Sequence, residues 1–391
     1  MLPLAGITVV SLEQAVAAPF ATRQLSDLGA RVIKIERPDV GDFARGYDAT
    51  VRGLSSHFVW LNRSKESLTL DLKRVEAIEV LRRLLEKADV FVQNLAPGAT
   101  ERLGLITKEL RKKYPRLIIC DLSGYGSSGP YRNKKAYDML IQAEAGLISI
   151  TGTEETPCKV GISVADIACG MYAYSGILTA LLVRAKTGEG VAMQNSLLDS
   201  LAEWMSYAVY YSFGGSAPPR SGANHATIAP YGPVMSGDNK VVYIGLQNER
   251  EWKKFCEVVL QSPQLSADPR FDSNANRVKN RPQLDLAMRE VFGKLPAAEI
   301  IARLESAQIA NARLNTVQEF MEHPQLQARQ RWSTVGSPVG PLPALLPPVT
   351  MENVETVMKD VPALGQQTDA ILSELDFDAE TIASLRRKKV I

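Results

Sequence analysis

The first 36 residues place strand, helix and strand so close together that few connections are open to them. Residues 7–12 (ITVVSL) form a short apolar run that reads as a strand. Residues 21–28 carry helical patterning, Pro19 suits a first helical turn, and Gly29 is placed to end the helix. Residues 31–36 (RVIKIE) alternate as a strand does. A helix between two strands implies a right-handed crossover and a parallel pair. The alternation continues through a strand at 67–72 (SLTLDL), a helix at 75–87, a strand at 89–93, a helix at 107–113 and a strand at 117–122 (LIICDL). The last is apolar enough for burial on both faces. Together these predict an α/β chain with a doubly wound, Rossmann-like large domain.

Beyond that point the pattern changes. Residues 166–186 read as a long helix rich in small residues, and 194–211 as another helix. A Gly, Ser and Pro stretch at 213–222 reads as a linker. A strand at 240–246 and helices at 251–260, 282–295 and 297–305 follow. Residues 336–348 are dense in Gly and Pro, and 369–385 return to helix. The expected organisation is a large domain begun by 1–212, a linker at 213–225, a smaller α/β domain inserted over 226–330, a linker at 331–349, and 350–391 completing the large domain.

Composition excludes several functions. The net charge of the 391 residues is +2, which gives no reason to expect nucleic acid. The basic runs at 111–113 and 386–389 read as solvated helix faces. The four cysteines have no metal or redox spacing, and the three histidines have no partner at helical spacing, so no metal is expected. The N-terminus lacks the features of a signal peptide, and no apolar run looks long enough to span a bilayer. A reduced, cytoplasmic setting without membrane partners is the expectation.

Few residues are then candidates for chemistry. The run Gly124-Tyr125-Gly126-Ser127-Ser128-Gly129 matches a dinucleotide fingerprint, but Pro130 and Asn133 follow where a helix would have to open, so it reads as a tight loop. No nucleophile-elbow serine occurs, and Cys169 reads as a small core residue. Asp166 stands just before the long apolar helix. Two readings are open for it: a helix-capping aspartate, or a carboxylate nucleophile in an apolar site near a helix N-terminus.

An ordered series of motifs spans the chain. It runs from Gly29-Ala30-Arg31-Val32-Ile33-Lys34-Ile35-Glu36-Arg37-Pro38 with Gly41-Asp42, through Leu61-Asn62-Arg63-Ser64-Lys65 and Asn94 with Pro97-Gly98. It continues with Gly124-Tyr125-Gly126, Lys135-Ala136-Tyr137-Asp138, and Asp166 with Gly170, and ends at Thr187-Gly188-Glu189-Gly190. This series resembles the class III CoA-transferase family, which includes formyl-CoA transferase, carnitine CoA-transferase and α-methylacyl-CoA racemase. The overall likeness is to the branch that moves CoA between small dicarboxylates such as itaconate, mesaconate and citramalate, with succinyl-CoA as donor.

The resemblance implies that Asp166 carries the acyl group through covalent intermediates, with no permanently bound cofactor and coenzyme A as co-substrate. It implies CoA contacts at Arg37, Leu70, Asn94, Leu95, Arg102, Lys135 and Tyr137, and an interlocked homodimer. Around the substrate the candidates are Gln14, Val16, Arg45, Arg52 and His57. The sequence also departs from the family. A glutamine of formyl-CoA transferase falls on Val16, the glycine-rich loop of that enzyme is replaced by Ala229-Pro230-Tyr231-Gly232, and the His-Asp pair of the racemase is Tyr137-Asp138 here. Intramolecular CoA migration, racemisation and non-catalytic CoA binding are the alternatives.

Overall fold

A computed structural model describes all 391 residues. Six strands form one sheet: β1 (Thr8–Leu12), β2 (Arg31–Glu36), β3 (Lys65–Thr69), β4 (Val90–Gln93), β5 (Ile118–Ser123) and β6 (Ala192–Ser196). Every neighbouring pair is parallel. The spatial order is β3-β2-β1-β4-β5-β6, the order of doubly wound dinucleotide-binding sheets. The α/β class and the parallel sheet expected from the alternation are therefore found. In such a sheet the strand order reverses between β1 and β4, and a crevice opens outside their carboxyl ends.

One core explains why these strands and helices associate. Val10, Leu12, Ile33, Ile35, Phe91 and Ile119 of the sheet are buried against Leu81, Leu84 and Leu85 of the helix Val75–Lys87. The spacing of those leucines keeps them on one helix face. Full burial of each such side chain contributes about 1.5–3 kcal/mol. Ile371, Leu372 and Leu385, near the C-terminus, join the same cluster.

Several elements differ from the sequence reading. β3 starts two residues early because Lys65, charged and buried, opens it. β6 lies where a helix was expected to begin; its sequence, AMQNS, has too little apolar character to announce a strand. The expected helix at 194–211 is instead Leu197–Trp204 followed by Ser206–Ser212. The Gly and Pro stretch at 336–348 holds part of a hairpin, β10 (Trp332–Val335) against β11 (Leu342–Leu345). The expected helix at 369–385 is two, Thr368–Glu374 and Ala379–Arg387, parted where Asp376 adopts φ of 63°.

The chain forms two compact units. The larger takes in residues 1–146, 160–206 and 326–391; the smaller takes in 147–159 and 207–325. The smaller has its own antiparallel sheet of β7 (Tyr231–Met235), β8 (Val241–Gly245) and β9 (Ala310–Arg313). Trp252, Phe255, Phe292, Ile300 and Leu304 fill its separate core.

The helix Val164–Thr187 is, against the sequence reading, long and apolar enough to cross a bilayer by length and composition. Its small residues have another use. Ala165, Ala168, Gly170 and Ala173 are buried, and a Cβ on Gly170 would stand 2.6 Å from the carbonyl oxygen of Ala17. Only glycine lets the first helix, Ala17–Asp27, lie this close to the long one.

Candidate active site

At the carboxyl ends of β1 and β4 lies a cavity of about 900 Å³ within the larger unit. Gln14, Ala15 and Ala17 line it from the loop after β1, and Asn94 and Leu95 from the loop after β4. Asp166 reaches it from the start of the long helix, and Lys135 and Tyr137 from the segment before the helix Asp138–Glu144. The fold thus brings Gln14, Asn94, Leu95, Lys135, Tyr137 and Asp166 of the sequence candidates to one cavity.

Asp166 is not the cap of its helix. Ser163 holds the N-cap position and makes no side-chain capping bond, while Asp166 stands in the first turn. The capping oxygen comes from elsewhere in the chain: Oδ1 of Asp138 accepts from the N–H of Ala165 at 2.8 Å and of Asp166 at 3.4 Å. Its Oδ2 accepts from Nε2 of Gln142 at 2.7 Å. With the helix end satisfied by Asp138, the carboxylate of Asp166 is free for other work. It accepts no hydrogen bond within the chain, and burial, with the nearby Asp138 charge adding to it, pushes its pKa up to about 7. The N-terminus of a long helix favours the ionised form at the same place. One turn on, Cys169 is buried and held well above the usual thiol range by burial and by Asp166, so it stays a thiol.

The opposite wall is a backbone turn. Gln14 and Asn94 are locked together: the Gln14 N–H donates to Oδ1 of Asn94 at 2.8 Å, and Nδ2 of Asn94 donates to the Gln14 carbonyl at 2.9 Å. Ala15 follows with φ of 61°, and the first helix starts at Ala17 without any side-chain cap. In its first turn Pro19 has no N–H and Phe20 donates to the Val16 carbonyl, which leaves the Ala17 and Ala18 N–H groups without an intrahelical acceptor and available to an anionic oxygen.

The outer cavity is cationic. Lys108, Arg132, Lys134 and Lys135 line it together with the Gly124–Gly126 turn. Lys134 pairs with Glu144 and lies over the Tyr125 and Tyr131 rings. The false dinucleotide motif is accounted for here: a Cβ on Gly124 would stand 2.1 Å from the Cβ of Ala136, so its glycine allows two loops to touch. Lys108, Arg132, Lys134 and the cap Asp138 were not singled out as site residues from the sequence. The run of three cations at 132–135 next to Tyr137 was the available signal for the first group. Asp138 stood in the Lys135–Asp138 motif, but its capping role depends on a contact 27 residues away.

The other candidates sit elsewhere. Val16 is buried at the head of the first helix, and Leu70 is 1% exposed in the sheet core, so its side chain cannot meet a ligand. Arg45 is committed to Glu36 through two short bonds and stacks on Phe58. It is not the free cation that a substrate carboxylate would need. Arg52 reaches the carbonyls of Val339 and Pro341, and Arg37 that of Gly41. Arg102 lies beside Gly98, which lines the cavity. His57 stands 3.9 Å from Asp48 and packs edge-on against Tyr47 and Trp60.

A buried carboxylate raised toward neutrality, an open helix N-terminus and a cationic trough are what acyl transfer from a phosphorylated thioester requires. The model of CoA-transferase family III matches residues 4–368. The chain belongs to CoA-transferase family III. As a CoA-transferase it takes CoA thioesters as co-substrates. It is 32% identical over its whole length to the mouse succinyl-CoA:glutarate CoA-transferase, covering 91% of that protein. It is 36% identical to the acetyl-CoA:oxalate CoA-transferase of Acetobacter aceti over 84% of each chain. The crystal structure of a CAIB/BAIF family protein from Brucella suis superposes with a TM-score of 0.84 at 32% identity, over 96% of this chain and 99% of that one.

Proposed function

We propose that this CoA-transferase moves CoA from succinyl-CoA to a small dicarboxylate through covalent intermediates on Asp166. The observation that carries the reading is the Asp166 carboxylate, which accepts no hydrogen bond and lines the same cavity as the uncapped helix start at Ala17. The carboxylate attacks the donor thioester carbonyl, forming an acyl-aspartyl anhydride and releasing CoA thiolate. The thiolate attacks the aspartyl carbonyl, giving an aspartyl-CoA thioester and free succinate. The acceptor carboxylate then attacks that thioester, and returning thiolate takes the acceptor acyl group and restores Asp166. Each tetrahedral oxyanion needs N–H donors, which the first turn of the Ala17–Asp27 helix supplies.

Lys108, Arg132, Lys134 and Lys135 support binding of the CoA phosphates, by charge-assisted bonds that phosphate favours. The relatives act on glutarate and oxalate by name. Glutarate has the same five carbons as itaconate, mesaconate and citramalate, so acceptors of this length come first. A homodimer is part of the reading. The apolar Met171, Tyr172, Leu182 and Val183 on the long helix, with Trp204, stay exposed in the single chain.

The test is to incubate the enzyme with succinyl-CoA, quench with hydroxylamine, and map the adduct by peptide mass spectrometry. A hydroxamate on Asp166 is expected. Full activity in Asp166→Ala would sink the proposal.

A further inference from the structure

Beneath the Ala15 turn lies a charged cluster that touches no substrate. Asp42 is fully buried, and its two oxygens divide their work. Oδ1 accepts from the N–H of Ala15 at 3.1 Å and of Ala44 at 2.9 Å. Oδ2 accepts from Nζ of Lys34 at 2.7 Å. Lys34, also fully buried, lies 3.4 Å from Glu13, which Lys65 holds at 2.7 Å and Thr22 at 2.6 Å. The cluster therefore ties the end of β1, the body of β2 and the start of β3 to two backbone amides, those of Ala15 and Ala44. Left-handed backbone is unfavourable for alanine and persists only where the surroundings impose it. The residues on either side of that turn, Gln14 and Ala17, face the same cavity as Asp166.

We propose that Asp42 is a positioning residue for the transfer reaction: by holding the Ala15 N–H it fixes the left-handed turn that aims the start of the first helix at Asp166. Lys34 is its counter-ion and sets the orientation of the carboxylate. The proposal rests on the reading of Asp166 as nucleophile. It adds a requirement for Asp42, which is buried and does not line the cavity. A misplacement of about 1 Å in such a wall lowers turnover by roughly 100-fold.

Two double variants test it without leaving one buried charge unpaired. Asp42→Asn with Lys34→Gln keeps an oxygen for the Ala15 N–H; Asp42→Ala with Lys34→Met removes it. Thermal melts confirm folding, and kcat and KM for succinyl-CoA are measured on each. The Asn/Gln enzyme is expected within about fivefold of wild-type kcat, and the Ala/Met enzyme about 50- to 100-fold below it. KM for succinyl-CoA should stay within about twofold in both, because the phosphate trough is untouched. Wild-type kcat in the Ala/Met enzyme, or equal losses in both, would overturn the role of Asp42. Hydroxylamine trapping on the wild type is run beside them. Absence of the Asp166 adduct there would remove the nucleophile reading alone, while the ratio of the two variants still reports on Asp42.

Discussion

Two sets of carboxylates in the larger unit are treated in opposite ways. Glu13, Glu36 and Asp42 sit under β1 to β3, each within bonding distance of Lys34, Lys65 or Arg45. Burial alone would raise the pKa of Glu13, but Lys65 and Lys34 outweigh it and hold it below its usual value. For Glu36 burial likewise pushes upward, but Arg45, Lys34 and Ser67 together outweigh it and bring the pKa down to about 2. Asp166 is half-buried at the cavity wall, and the charge that acts on it is another carboxylate, Asp138, which adds to the effect of burial. The first group is neutralised and holds the loops in place. The second is left with its charge unopposed, the condition of a group kept for reaction rather than for stability.

The comparison can be broken most severely at Asp166. Asp166→Asn is expected to lower kcat on the order of 10⁴- to 10⁶-fold, the scale of losing a covalent nucleophile. Its stability should change in the other direction. The native carboxyl holds its proton up to about pH 7, whereas the unfolded chain releases it near 3.8. Wild-type stability is therefore lost as pH rises across that window. The Asn variant lacks this loss, so its melting temperature should exceed wild type by a few degrees at pH 8, on the order expected for one titrating group, and match it near pH 3.5. Scanning calorimetry at both pH values checks the sign.

Glu13→Gln probes the neutralised group. It leaves Lys65 and Lys34 short of a buried counter-charge and should cost about 3–5 kcal/mol in urea unfolding. A change below about 1 kcal/mol would mean the cluster is less tightly coupled than its geometry implies. Lys135→Ala should raise KM for acyl-CoA about tenfold with little change in kcat, an effect that weakens in high salt. The smallest effect is expected at Asp138. Asp138→Asn keeps an acceptor for the Ala165 N–H, removes the like charge, and replaces the oxygen that accepts from Gln142. Because burial is the larger cause, the acid limb of kcat/KM should move from near pH 7 to lower pH by less than about one unit.

The same contrast explains what the sequence could disclose. β1, β4 and β5 were legible because strands buried on both faces must be apolar almost throughout, and β2 by its alternation. β6 and β9 were not, since AMQNS and ANAR carry no alternation. In RVIKIE the alternation identified the strand but not the fate of Lys34 and Glu36, which are buried and paired instead of solvated. The pairs join residues from 8 positions apart, Lys34 with Asp42, to 52, Glu13 with Lys65, and none follows a spacing that strand alternation announces. Asp166 was visible only through the motifs around it. What distinguishes it from a cap is the Asp138 side chain already occupying that role, a tertiary fact.

The central claim is that Asp166 itself exchanges bonds with the acids. The direct test uses an acceptor dicarboxylate labelled with ¹⁸O in both carboxyl groups, incubated with succinyl-CoA and enzyme. In the proposed sequence the acceptor oxygen that bridges the second anhydride stays on the aspartate when thiolate removes the acyl group. Mass spectrometry of the peptide containing Asp166 should then show one ¹⁸O after a single turnover and two after many. A peptide that stays unlabelled while the acceptor acyl-CoA accumulates would contradict Asp166 as the carrier.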